Sequence, residues 1–341
     1  MPPPTAPLAR CAVIGAGIAG AAFARHARAA GISVTVFDKG RLPGGRLSTR
    51  EAGGALFDIG SPWVDARAGD WRESLLSLPG MQGLALTSDS QWRVGGPGAA
   101  SAFRERGAWA PAGGTRALVT GALEGIPLLS SKKVESIERE VGEWWLMGEG
   151  YETRERAWGP FDWVVLAIPG PQAARLLLPH LPEWGRAALK VRYAPQMAAC
   201  VIFERPLSVD FDIYLGGEGE GLSVCKRGER GGAGGDPWVL QSSAAWAQSR
   251  LELPKEMAAE MLVAEWERAI GPLPPRLLTQ GHRWRYARVS APASAQPAPP
   301  LLDHELCLGA CGDWRSGPSA GEAYLGGVAL ARALAERLGA P

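Results

Sequence analysis

Cysteine is scarce in this 341-residue chain, and Cys11, Cys200, Cys225, Cys307 and Cys311 include no C-x-x-C pair. An odd number at such spacings excludes a disulfide framework and a zinc ribbon, and fits reduced thiols in a cytoplasm. The four histidines, His26, His180, His282 and His304, never fall at metal-ligand spacing, so no metal is expected. Neither sign of charge is in excess, with 36 Lys plus Arg against 35 Asp plus Glu. A basic nucleic-acid surface and an acidic solvating tail are thereby excluded. No segment reaches the roughly 20 apolar residues that span a bilayer. The nearest, Cys11 to Ala24, is too short and too glycine-rich, and Arg10 precedes it, which spoils a lipoprotein or signal-peptide reading. A soluble cytoplasmic protein is expected, a monomer or weak homodimer, with neither nucleic acid nor membrane as partner.

Glycine, proline and tryptophan are abundant instead, at 45, 28 and 14 residues. The glycines follow no fixed period and 46% of the chain is hydrophobic, so collagen and disorder are out and a large core can form. Tryptophan outnumbers both Phe (7) and Tyr (5). The length suits one large domain or two ordinary ones.

The glycines first acquire a meaning near the N-terminus. Cys11 to Ile14 reads as a buried strand, followed at once by Gly15-Ala-Gly17-Ile-Ala-Gly20. Ala21 to Ala30 reads as a helix stopped by Gly31, and Ile32 to Phe37 as a second strand ending at Asp38. Strand, G-x-G-x-x-G, helix, strand and acid in this order form a dinucleotide-binding fingerprint. Gly15 allows the tight turn, Gly17 lets a pyrophosphate approach the backbone, and Gly20 allows close helix–strand packing. The helix N-terminus offers free N–H groups and about half a positive charge to phosphate. Asp38 is placed to accept from a ribose diol and would repel a 2′-phosphate. The fingerprint alone does not separate NAD from FAD. Pro43-Gly44-Gly45-Arg46 follows where a simple NAD dehydrogenase would begin another βα unit, and glycines beside an arginine make a phosphate-wrapping loop.

Phe37-Asp38-Lys39-Gly40, Pro43-Gly44-Gly45-Arg46 and Phe57-Asp58-Ile59-Gly60 together resemble the FAD-binding half of the flavin amine oxidase superfamily, and more closely its bacterial renalase-like branch. The resemblance continues through Gly113-Gly114-Thr115-Arg116-Ala117-Leu118 and Phe161 to Pro169, and covers about residues 10 to 338. Val191 to Pro195, Trp238-Val239-Leu240-Gln241 and His282-Arg283-Trp284-Arg285-Tyr286-Ala287 look like renalase-type blocks of a substrate domain. Gly312-Asp313-Trp314, Gly317 and Gly326-Gly327 look like the C-terminal FAD motif. A carboxylate such as Asp313 at a strand end can bond a polyol, and the helix after it can aim its amides at a flavin or phosphate.

The resemblance implies an α/β fold: a Rossmann-type FAD domain of the glutathione-reductase-like or amine oxidase-like kind, with a second α+β substrate domain. The expected FAD domain is discontinuous, 10–75, 110–170 and 300–341, with the substrate domain over 76–109 and 171–299 and a disordered tail at 1–9. Strands are expected near 192–204 and 236–243, a strand from Leu306 to Gly309, and helices at Lys255–Ile270 and over 321–338. Met257, Met261, Leu262 and Trp266 form the expected core face of the first of these helices. Residues 231–235 read as a mobile loop and 292–300 as a Pro-rich crossover.

Implied FAD contacts are Gly15, Gly17, Ile18, Ala19, Asp38, Lys39, Gly44, Gly45, Arg46, Gly60, Val134, Ala167, Pro169, Gly312, Asp313 and Ala323. Trp63, Gln241 and Trp284 are the candidate catalytic residues, with Tyr286 beside them, since aromatic walls can sandwich a planar ring and an amide can bond its polar edge. The implied reaction is hydride transfer from a small planar donor to flavin N5. In the renalase-like branch the donors are dihydronicotinamide isomers of NAD(P)H, and oxygen takes the electrons. Departures from the family pattern put the substrate in question: Ser61-Pro62-Trp63 replaces Ala-Gln-Tyr, Gln241 stands where relatives carry histidine, and Ala320-Gly321-Glu322 replaces Val-Glu-Gly. His282 is expected as a structural hydrogen-bonder, because hydride removal from a dihydropyridine needs no base. Arg283 and Arg285 suit either a substrate phosphate or the surface. Two other readings stay open. One is an amine oxidase or desaturase of the same fold, disfavoured because none of the six lysines falls in a segment expected beside the flavin ring. The other is a non-catalytic FAD protein.

Overall fold

The computed structural model describes residues 7–65, 71–78, 80–98, 103–104, 107–150, 157–230, 234–291 and 301–340. Its first sheet has six strands. Strands β1 (Arg10–Ile14) and β2 (Ser33–Phe37) pair in parallel, and helix α1 (Ile18–Ala29) joins them. The sheet runs in the order β19 (Leu301–Asp303), β20 (Leu308–Ala310), β12 (Trp163–Leu166), β1, β2, β8 (Leu128–Leu129). Only β19 is antiparallel to its neighbour. As an inner strand, β1 buries both faces, which is why Cys11 to Ile14 is a continuous apolar run rather than an alternating one. Cys11 and Val13 pack towards α1, α3 (Arg116–Ala122) and α9 (Ala320–Arg337). Ala12 and Ile14 pack towards α4 (Gly170–Leu177) and the three-stranded sheet β9 (Lys132–Glu140), β10 (Glu143–Gly150), β11 (Ala157–Phe161). Helix α9 opens with a Ser319–Glu322 capping box and lies flush on α1, since a Cβ at Gly327 would sit 2.2 Å from the Ala19 carbonyl.

The second six-stranded sheet has the order β18 (Arg276–Ala291), β13 (Arg192–Phe203), β17 (Asp236–Ser242), β15 (Leu222–Arg227), β14 (Ile213–Leu215), β6 (Val94–Gly95). Met197, Ala199, Val201 and Phe203 face α6 (Ala244–Gln248) and α7 (Lys255–Ile270). Cys200, Ile202 and Val239 face the other way, onto Ala55, Phe57 and Ile59. The last three belong to the β3 (Thr49–Ala52) and β4 (Ala55–Asp58) hairpin and its exit, and β4 also pairs with β16 (Glu229–Arg230). A small ladder joins β5 (Leu86–Ser88) to β7 (Trp109–Pro111). Two short helices, α2 (Trp71–Leu76) and α8 (Asp313–Ser316), and α5 (Pro182–Lys190) complete the described elements named below.

Several expectations need correction. Helix α1 begins at Ile18, three residues early, because the turn closes directly onto Gly17 as its N-cap. The strand expected at Leu306–Gly309 starts at Leu308, after a turn in which Cys307 takes φ 56°. Met257 is exposed, because the buried stripe of α7 runs through Ala258, Ala259, Leu262, Val263 and Trp266. The N-terminal tail is tied down from Leu8, whose amide donates to Gly31, while Ser33 donates to Ala9. Residues 1–6, 231–233 and 292–300 lie outside the described residues, and with them most of the expected tail, loop and crossover.

Candidate functional site

The turn between β1 and α1 is built by exclusion of Cβ atoms. Gly15 has φ 113°, and a Cβ there would stand 2.5 Å from the Ala167 carbonyl; at Gly20 it would stand 2.0 Å from the Gly15 carbonyl. Gly17 differs, since a Cβ on it would meet nothing within 4 Å. It N-caps α1 without any side-chain acceptor, so no side chain satisfies the first amides of the helix, those of Ile18 and Ala19 among them. Asp38 closes one end. Its two oxygens accept from Ala16 N and Gly40 N, each at 2.7 Å, which leaves lone pairs on both. Burial pushes its carboxyl up, and these two amides pull against that shift. Lys39 is exposed beside it.

The Gly44–Arg46 loop crosses this helix end. Gly44 N donates to Ala16 O at 2.9 Å, and a Cβ on Gly45 would lie 3.3 Å from Gly17 Cα. Arg46 then reaches the C-terminal segment, where both terminal nitrogens bond Asp313, Nη2 to Oδ1 at 2.8 Å. Gly312, at φ 127°, turns the chain so that Asp313 starts α8. Burial opposes the Arg46 charge, and Asp313 outweighs it, leaving the guanidinium more basic than usual. Tyr193 completes the group. Its hydroxyl accepts from Gly170 N at 3.1 Å and donates to Asp313 at 3.4 Å, and its ring lies 5.8 Å from Arg46. Burial, with Asp313 next, raises the Tyr193 hydroxyl well above its ordinary range. Beside Gly44, the Nε of Arg116 is buried without a hydrogen-bond partner.

The remaining expected contacts are more dispersed. Ala167 follows β12 and bonds Ile14, and Pro169 N-caps α4. Val134 packs in the core beneath α4, on a strand whose first residue donates to Asp38 O. Ala323 is buried in the first turn of α9. No hydrogen bond or close approach places Val134, Pro169 or Ala323 against the glycine loops.

Residues 58–62 lie beside the Arg46 loop. Gly60 N and Ser61 N donate to Ser48 O and Arg46 O, at 3.3 and 2.8 Å. The Asp58 carboxylate is buried under three donors, Thr49 Oγ1 (2.7 Å), Thr115 N (2.9 Å) and Lys226 Nζ (2.9 Å), with Thr115 Oγ1 3.3 Å away. A cavity of about 10 Å³, room for one water, adjoins Asp58, Thr49, Lys226 and Glu229. Lys226 is thus the lysine that reaches this segment, bonded to Asp58 and to Pro62 O. Its strand, β15, pairs with β17 so that Lys226 and Val239 share the face towards β4. No local motif marked it. Thr115 had a signal, being inside the Gly113-Gly114-Thr115 block, as Tyr193 was inside the Val191–Pro195 block.

Two of the candidate catalytic residues, Gln241 and Trp284, fall on this same sheet face. Gln241 is buried and donates to Gly60 O at 2.5 Å and Asp58 O at 3.4 Å. Trp284 donates to Ile59 O at 2.7 Å. Both thus direct their N–H groups at main chain, so a substrate amide could meet only the Gln241 Oε1. Trp63 is half-buried against Phe103 (rings 4.8 Å apart, edge-on) and Trp92, and Val224 and Leu215 pack against the same cluster. Tyr286 stacks edge-on with Tyr193 at 5.4 Å. His282 takes an Arg50 nitrogen at 3.1 Å on Nδ1, and burial first, then Arg50 and Lys255, push it down to about 4. Arg283 and Arg285 are settled by geometry. Arg283 donates to Leu251 O at 2.6 Å, and Arg285 pairs with both oxygens of Glu252, at 2.7 and 2.8 Å. Both serve the 251–253 turn, which answers the choice left open by sequence.

Two family models match the chain: an NAD(P)-binding Rossmann-like domain over residues 13–76, and a flavin-containing amine oxidoreductase over residues 100–332. The chain belongs to the flavin-containing amine oxidoreductase family. Solved structures share its fold at low identity. A protein assigned as a protoporphyrinogen oxidase from Exiguobacterium sp. 255-15 is 12% identical at TM-score 0.70, with 96% of this chain and 99% of that one covered. A wild-type putrescine oxidase with putrescine bound is 15% identical at TM-score 0.71, over the same shares. As a family member the chain is an FAD-dependent oxidoreductase of Rossmann-type α/β architecture. Its own residues fit that cofactor: an open cradle at Gly17, an uncapped helix end and a partnerless arginine nitrogen beside Gly44 all suit a diphosphate. Among the described residues no helix is long and apolar enough to cross a membrane.

Proposed function

We propose that this flavoenzyme is renalase-like and takes hydride from a small planar donor without a cationic amine, of the dihydronicotinamide type, with oxygen as acceptor. Bound FAD supplies the redox chemistry. The chain would hold it through the glycine turn at Gly15, Gly17, Ile18 and Ala19, through Asp38 and Lys39, through Gly44, Gly45 and Arg46, and through Gly60, Gly312 and Asp313. Val134, Ala167, Pro169 and Ala323 would line its edges. The cofactor half would comprise 10–75, 110–170 and 300–341, and the substrate half 76–109 and 171–299.

One observation carries the choice of donor. On this face of the second sheet the half-buried side chains include Gln196, Val224, Lys226, His282, Trp284 and Tyr286, with Trp63 nearby outside the sheet, and Lys226 and His282 are bonded to Asp58 and Arg50. Two carboxylates on this side, Asp58 and Asp313, are each held by a cation, Lys226 and Arg46, and Glu229 accepts from Gly113 N. An alkylammonium would find aromatic faces but, in Asp58 and Asp313, carboxylates already paired with cations, whereas a flat uncharged ring finds walls on which to stack. Lys226 does not alter this balance, because Asp58 and Pro62 O occupy two of its three donors and the Trp92 ring lies 5.5 Å away.

Anaerobic mixing with a panel of dihydronicotinamide isomers and amines tests the reading. Flavin bleaching by the dihydronicotinamides is expected. Bleaching by amines alone would refute it and favour an amine oxidase.

A further inference from the structure

The main chain from Asp58 to Pro62 belongs to neither large sheet, yet each of its five carbonyls is taken by a side chain. Gln241 Nε2 donates to Asp58 O (3.4 Å) and Gly60 O (2.5 Å), and Trp284 Nε1 to Ile59 O (2.7 Å). Thr115 Oγ1 donates to Ser61 O (3.1 Å), and Lys226 Nζ to Pro62 O (2.7 Å). Three of these four donors stand on β15, β17 and β18, on one face of the second sheet. The register shows it: Lys226 pairs with Val239, Gln241 with Ala198, and Trp284 with Gln196. Positions 239 and 241, like 196 and 198, lie two apart and share a face.

The amides of the same segment point to the other half of the molecule. Gly60 N bonds Ser48 O and Ser61 N bonds Arg46 O, in the stretch that leaves the Gly44–Arg46 loop. A Cβ on Gly60 would stand 2.0 Å from Arg46 O, so there is no slack on that side. Pro62 carries no amide, and backbone pairing resumes only at Val64, which bridges Trp109.

We infer that Lys226, Gln241, Trp284 and Thr115 are positioning residues: they suspend 58–62 as a spacer, bonded by its amides to the Arg46 loop and by its carbonyls to the second sheet, so that the sheet sets where the flavin-side backbone stands. Lys226 and Gln241 thereby act on the reaction through the backbone. This rests on the reading above that Gly44–Arg46 and Gly60 hold FAD. A donor replaced by an apolar group leaves a buried carbonyl unpaired, which favours a shifted or opened segment. The effect should reach the cofactor as well as the fold, because Ser61 N bonds Arg46 O and Gly60 N bonds Ser48 O, two residues on.

The test uses the FAD-loaded protein and three variants: Gln241→Met, Trp284→Phe, which keeps an aromatic ring and deletes one N–H, and Lys226→Met with Lys226→Arg as its conservative rescue. Amide hydrogen exchange is followed at Gly60 and Ser61, together with the visible circular dichroism and midpoint potential of the flavin. Exchange at both amides is expected to rise at least about tenfold in Gln241→Met and Trp284→Phe. The flavin band and potential should shift with it, and Lys226→Arg should return both towards wild type. Unchanged exchange in Gln241→Met and Trp284→Phe overturns the inference, whatever the flavin does. Raised exchange with an unmoved flavin band and potential refutes their role as positioning residues for the reaction and removes Gly60 from the cofactor site, while FAD binding itself, read from the colour of the protein, tests the broader reading separately.

Discussion

The Arg46 guanidinium meets both oxygens of Asp313 across a sequence separation of 267 residues. Asp313 is nearly buried in this pair, at 4% side-chain exposure against 32% for Arg46. The bridge ties the glycine loop behind β2 to the segment behind β20, the two ends of the proposed cofactor groove. Arg46→Met leaves that carboxylate without its fork. A charge-assisted bond of this kind is worth about 1.5–3 kcal/mol. FAD dissociation constants measured by flavin fluorescence should therefore rise about ten- to a hundredfold. Affinity equal to wild type would exclude Arg46 from the cofactor site.

Gly17 and Gly20 separate cofactor binding from folding. Gly17→Ala places its methyl in open space at ordinary φ, so thermal stability of the FAD-free protein should change by less than about 0.5 kcal/mol. FAD affinity should nevertheless fall, because the methyl stands where a diphosphate would lie. Gly20→Ala drives a methyl to 2.0 Å from the Gly15 carbonyl and should cost about 1–3 kcal/mol before any cofactor is added. Paired melts with and without FAD distinguish the two.

His282 makes stability fall on the acid side. Its folded-state value is pushed down to about 4, while the unfolded imidazole titrates near 6.5. Between those values the unfolded chain binds more protons, so stability is full above about pH 6.5 and is lost as pH drops to about 4, with a limiting slope of about 1.4 kcal/mol per pH unit. In His282→Gln this component should vanish, leaving a flatter curve in urea melts at pH 7.5, 6 and 5. Equal slopes in the two proteins would show that His282 is not held neutral by its surroundings.

Trp63 tests the donor site. Trp63→Ala opens the aromatic group formed with Phe103 and Trp92, and should raise the KM for a planar donor by about tenfold, of the order expected for one lost aromatic contact. FAD affinity should stay as in wild type. If Trp63→Ala and Trp63→Tyr both bleach at the wild-type rate with every donor, Trp63 does not touch the substrate.

The chemistry of single segments was legible from sequence alone. Gly15, Gly17, Gly20 and Asp38 lie within one βαβ unit, where glycine spacing and apolar runs follow from local sterics and the period of each element. The bounds of α7 and β13 followed in the same way. The side chains that bridge the two halves did not. Period-two alternation shows that Lys226, Gln241 and Trp284 each stand on one of two faces, but not which face meets residues 58–62. That choice depends on the register of β15, β17 and β18 across the sheet, and so on pairings between residues far apart in the chain. For the same reason sequence left Arg283 and Arg285 undecided, and only the turn packed against them, at Leu251 and Glu252, fixed their place.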